Sequence, residues 1–140
     1  MMPHEFSNIC RDLSLALRLI DCDALAESKD VYLNGVKIGV FNCVEPQNGI
    51  IFYVDLGVPE LSSQPSIFER CMDINLELSA VDGEAIGFDR TTNHLVFRAF
   101  FAFDEDNNIE ALTEAICGYT EFVNELYAEH LHGLVKPPQS

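Results

Sequence analysis

The sequence predicts an α+β domain: an antiparallel sheet of about five strands with helices, in the order α-βββ-α-ββ-α. Strand-like segments come in runs joined by short polar turns, not in alternation with helices, which is the pattern of an antiparallel sheet. Apolar residues recur at three- and four-residue steps in three places: near the start, in the middle and toward the end. The chain has 140 residues, which suits a single domain, 1–140, with one core.

From His4 to Ile20, Phe6, Ile9, Cys10, Leu13, Leu17 and Ile20 form one apolar stripe at helical spacing. "DCDALAESKD" breaks it. In "VYLNGVKIGVF", residues 31–41, Asn34-Gly35 is the strongest short turn signal, because both residues tolerate positive φ. The expectation is a hairpin, the alternative being a bulge within one longer strand. "EPQNG", 45–49, is a second turn and "IIFYVDLG", 50–57, another strand.

A helix follows over about 65–78, with Ser62 or Ser63 as its cap and Pro65 in its first turn, where a missing N–H is harmless. Its wheel has two apolar arcs. Ile67, Cys71, Ile74 and Leu78 make one; Phe68, Met72 and Leu76 make the other. One arc serves the domain's own core, and the second calls for another partner. "AIGFDRTTNHLVFRAFFAFD", 85–104, reads as two strands around a polar turn, the second apolar on both faces. The last helix runs from about Asn108 to His130, where Ile109, Leu112, Ile116, Tyr119, Val123 and Leu126 mark a stripe that Phe122 and Tyr127 widen. The acidic run before it compensates the helix dipole. "GLVKPPQS", 133–140, is expected to be a frayed tail.

The formal net charge is −15, from 8 basic and 23 acidic residues. That argues against nucleic acid, where phosphate neutralisation needs clustered Lys and Arg, and against an anionic membrane surface. No apolar run approaches the roughly 18 residues of a membrane span, and no signal segment opens the chain. The expected location is the cytoplasm, which also suits five scattered cysteines without a CxxC pair. Partners should be neutral or basic proteins.

No nucleotide loop or nucleophile elbow is present. His130 and His132 point in different directions near a helix end, so no metal site is expected there. His94 has no carboxylate partner nearby in sequence. Asp104, Asp106 and Asn108 match the first liganding positions of a calcium loop, but Ile109 stands where glycine is needed and Ala115 where glutamate is needed. Neither a catalytic residue, a cofactor nor a metal is expected, and the protein is read as not being an enzyme. The acidic residues are read as a solubilising surface on a protein that must expose apolar area.

With "VYLNGVKIGVF" leading through "GIIFYVDLGVP" into the middle helix, and with "GFDRTTNHLVFRAFF", the chain resembles the small acidic chaperones of bacterial type III secretion, the class serving one or a few effectors. The family often has glycine in the polar turn of that last stretch, where this chain has Asn93. The resemblance implies a homodimer that holds the non-globular N-terminal segment of an effector extended, partly as added strands, without hydrolysing nucleotide; a separate secretion ATPase takes the complex. On that basis Phe68, Met72 and Leu76, with Val96 and Phe100, are expected to face a second copy, unless they pack within the chain under a loop. Val36, Ile38, Val40, Ile51 and Tyr53 are expected at the effector surface, unless one alternating set lies under the helices. The first rival is an acidic inhibitor or immunity-type protein neutralising a basic toxin; the second is a domain with a ligand pocket between sheet and helices.

Overall fold

The computed structural model describes residues 3–45, 47–102, 109–131 and 134–136. The elements are α1 (Pro3–Ala16), β1 (Val31–Leu33), β2 (Val36–Cys43), β3 (Gly49–Pro59), α2 (Gln64–Asn75), β4 (Ala85–Asp89), β5 (His94–Ala102), α3 (Ile109–Leu126) and a short β6 (Val135–Lys136). The order is the expected one. The sheet is antiparallel, with strands ordered β1-β2-β3-β5-β4 and β6 paired to the end of β3.

Asn34 (φ 53°) and Gly35 (φ 79°) make the hairpin turn between β1 and β2, with Leu33 opposite Val36. Asn34 also ties the turn to α3: its Nδ2 donates to Thr120 Oγ1 at 3.0 Å, and its carbonyl accepts from Asn124 Nδ2 at 3.1 Å. Asn93 does take the left-handed conformation (φ 62°) in the β4–β5 turn.

Two boundaries differ from expectation, each for a local reason. The first helix stops at Ala16, short of Ile20, because Arg18 turns left-handed (φ 59°) and Leu19 N–H reaches back to Ser14 O at 2.9 Å. α2 ends at Asn75 because that side chain leaves the helix for the β4 edge, bonding both the carbonyl (3.0 Å) and the N–H (2.7 Å) of Ile86. Ser63 stands at the α2 cap position without a side-chain cap bond; a single 3-10 turn, Leu61–Ser63, already leads into the helix. α3 closes with a π-helical turn, Tyr127–Leu131. Of the expected frayed tail, residues 134–136 are described: Val135 is buried and sits opposite Pro59, so apolar burial holds that stretch on the sheet, and 133 and 137–140 lie outside the described residues.

All three helices pack on one face of the sheet. α3 crosses it, with Tyr119 and Phe122 against Phe97 (ring centroids 5.3 and 5.4 Å apart), and α1 packs beside α3. α2 covers β4, with Phe68 edge-on to Phe88 at 5.1 Å and Ile67 and Cys71 in the core. Between them lie Val36, Ile38, Val40, Ile50, Phe52, Val54, Leu95, Phe97 and Ala99, the alternate residues of three strands. No helix lies on the other face among the described residues.

Candidate functional site: the uncovered sheet face

Strand period and register decide what the uncovered face displays. Phe41, Ile51 and Phe100 are register partners across β2, β3 and β5 and form one row. The next row is Gly39, Tyr53 and Arg98, and the third is Lys37, Asp55 and Val96. Rows on one face lie roughly 7 Å apart along the strands. Ile51, Tyr53, Val96 and Phe100 are half-buried, and Phe41 and Arg98 are exposed.

The aromatic residues lie flat. Tyr53 folds over Gly39, so close that a Cβ there would overlap its ring, and stacks on Phe41 with centroids 4.9 Å apart. Phe100 likewise covers Gly49. A glycine under each ring lets aromatic carbon fill the pleat. Burial raises the Tyr53 phenol above its usual range, so it stays a neutral hydroxyl.

At one end, the loop after α2 leans on this face. Asp82 O accepts from the Phe100 N–H at 2.7 Å. Glu84 holds the loop by accepting from Ser79 N–H (3.0 Å) and from Tyr119 Oη–H (2.9 Å). At the other end His94 Nδ1 meets Asp55 Oδ1 at 2.7 Å, and the same oxygen accepts from Gly57 N–H at 2.9 Å across the β-bulge in β3. The carboxylate partner of His94 thus comes from 39 positions away. Lys37 Nζ pairs with Asp30 at 3.1 Å, which raises its pKa.

Two shallow concavities result. One, of ≈ 510 Å³, runs over Tyr53, Asp55, His94 and Val96; the other, of ≈ 300 Å³, lies between Cys43, Phe100 and Val81. Both are lined by Ile51 and Arg98, so they meet at the centre of the face.

The expected site residues divide. Ile51 and Tyr53 of the effector set, and Val96 and Phe100 of the dimer set, share this one face. Val36, Ile38 and Val40 do not: at 1%, 1% and 3% exposure they are core under the helices, because their register positions are one residue out of phase with Lys37 and Phe41. Phe68 is also drawn inward onto Phe88, on the helix side and away from Val96 and Phe100. Its arc companions Met72 and Leu76 remain 70% and 87% exposed. Arg98, Phe41, Gly39 and the Asp55–His94 pair were not singled out from sequence. One signal marks the outer set: each of β2, β3 and β5 carries charge inside its span, and Lys37, Asp55 and Arg98 all belong to the alternating set facing away from the helices.

Cys10 and Cys71 are buried thiols, each pushed up to about 11 by desolvation, and are therefore inert. Among the described residues no three His, Cys, Asp or Glu side chains gather as a metal site. Asp104, Asp106, Asn108 and His132 lie outside the described residues. No helix among the described residues is long and apolar enough to cross a membrane. Comparison with protein families, with curated proteins and with solved structures finds no match.

Proposed function

We propose that the protein is a small cytoplasmic chaperone of the type III secretion kind, one that binds the non-globular N-terminal segment of a secreted effector and keeps it soluble without nucleotide hydrolysis. The observation that carries this reading is the division of the sheet: one face closed by three helices, the other presenting Phe41, Ile51, Tyr53, Val96 and Phe100 to solvent. A contiguous apolar face of this kind marks an interaction site. An extended segment suits it, because a nearly flat, shallow surface takes side chains at alternate positions. The sheet edge supports strand addition as well: β1 pairs β2 only from Val36 to Ile38, leaving Gly39 and Val40 at an edge with no strand beside it among the described residues.

A second copy of the chain is the proposed cover for the α2 arc. Met72 and Leu76 stand one helical turn apart, and burying each stabilises by roughly 1.5–3 kcal/mol. High negative charge keeps such a protein dispersed until it is engaged.

Purifying the tagged protein from its own cells tests the function. Co-elution of an unfolded, protease-sensitive N-terminal piece of a secreted protein is the expected result; a folded enzyme or toxin in its place would overturn it. The net charge favours one alternative, an acidic inhibitor of a basic protein. Binding through charge would weaken steeply with salt, whereas apolar docking would not.

A further inference from the structure

We infer that the uncovered face selects an extended protein segment in which an apolar side chain and a carboxylate alternate, with Arg98 reading the carboxylate. This rests on the client-binding reading and names the segment that the face takes.

Lys37, Arg98 and the His94 imidazole border the two concavities, and two of them already have a carboxylate: Lys37 has Asp30 at 3.1 Å and His94 has Asp55 at 2.7 Å. Arg98 is exposed at the junction of the concavities and makes no salt bridge among the described residues; the acidic lining residues Glu45 and Asp89 are not within ion-pair distance of it. Arg18, Arg70 and Arg90 also make no salt bridge among the described residues, but of these four arginines it is Arg98 that lines the two concavities of the uncovered face. Its neighbours are apolar: Tyr53 and Ile51 on β3, and Phe100 and Val96 on β5. An exposed guanidinium bordered by such groups is a fork of donors suited to a carboxylate from outside.

Register sets the spacing. Along β5 the outward residues are Val96, Arg98 and Phe100, at steps of roughly 7 Å. An extended segment running along the strand repeats its own side chains at the same step. It therefore places an apolar residue over Phe100 and Ile51, an acidic residue two positions on over Arg98, and a second apolar residue over Val96. The recognised pattern is apolar-x-acid-x-apolar, and it reads the same in either chain direction. The general negative charge of the protein opposes acidic segments, so a preference for an acid at that one position has a local cause.

The test is selection from a random twelve-residue displayed peptide library on the full-length protein, on Arg98→Gln and on Arg98→Glu, each first checked for unchanged folding by circular dichroism. The wild-type pool is expected to favour Asp or Glu over Asn or Gln at the position two from an apolar residue by about two- to fivefold, the range for one exposed ion pair. Arg98→Gln should abolish that preference, and Arg98→Glu should turn it toward Lys and Arg. If Arg98→Glu fails to fold, the Arg98→Gln pool decides. Apolar peptides enriched on wild type without acid preference, or with the same preference in all three pools, would overturn the role of Arg98 while leaving client binding intact. No enrichment on any of the proteins would overturn the client-binding reading and this inference with it.

Discussion

Replacing Phe97 by alanine and, separately, Phe100 by alanine asks β5 which of its faces holds the fold together. Phe97 is fully buried and meets Tyr119 and Phe122 of α3, so its loss leaves a cavity in the main core. Such a change costs about 3–5 kcal/mol, a third or more of the stability of many domains. For a chain of this size that corresponds to roughly 10–15 °C in Tm. Phe100, three residues on, is half-buried over Gly49 with its other side to solvent, and its N–H bond to Asp82 survives the substitution. Its loss should cost only about 1 kcal/mol. Urea denaturation with matched m-values measures both. Equal large losses would show that the outer face is as enclosed as the inner one, and the division of the sheet on which the proposed function rests would be refuted.

Alkaline titration should expose the two buried thiols. Their folded pKa values, about 11, stand above the unfolded value near 9, so the folded state holds its protons more tightly. The stabilisation is full below pH 9 and lost as pH rises to about 11, by about 3 kcal/mol per thiol; Cys10→Ala and Cys71→Ala should each flatten the loss seen by chemical denaturation across that window, and an unchanged slope would contradict it. Asn34→Ala loses both the tolerance of positive φ and the hydrogen bond of its side chain to Thr120, for about 2 kcal/mol, whereas Asn34→Gly keeps the turn and loses only that hydrogen bond, for about 1 kcal/mol; thermal melts that rank glycine at or below alanine would contradict this. Gly39→Ala should drive the Tyr53 ring off the sheet and break its stack on Phe41 while the core stays intact, visible as shifted Tyr53 ring signals by NMR with little change in Tm.

Much of the architecture is legible because the turns announce it. Asn34-Gly35 and Asn93 carry the conformations their residue types suggest, and Ile109 to Leu126 keeps one stripe because α3 lies across a sheet. The end of α1 is not legible: its left-handed cap is an arginine, with no glycine to mark it. Thr120 escaped because its hydroxyl is satisfied locally, donating to Cys117 O, and nothing in the helix itself shows that Asn34 reaches it from the first hairpin. The candidate site was half legible. Period two separates Val36, Ile38 and Val40 from Lys37 and Phe41, and Ile50 and Phe52 from Ile51 and Tyr53, but apolar character on both sides does not say which set a helix covers. The expected effector set therefore joined core residues of β2 to surface residues of β3. Charge within each strand resolves it, since Lys37, Asp55 and Arg98 are register neighbours or one row apart on the uncovered side. The meeting of Asp55 with His94 depends on long-range pairing and has no local trace.

Light scattering of the pure protein at micromolar concentration reads whether a second chain covers the apolar surface that one copy keeps. The expected mass is twice the 15.7 kDa of the chain, with a return to that single mass in Leu76→Lys and melting of the separated chain unimpaired, because Leu76 is exposed and a cation suits a helix C-terminus. A wild-type protein that stays at 15.7 kDa, or a Leu76→Lys variant that still pairs, would contradict the covering of α2 by a second copy.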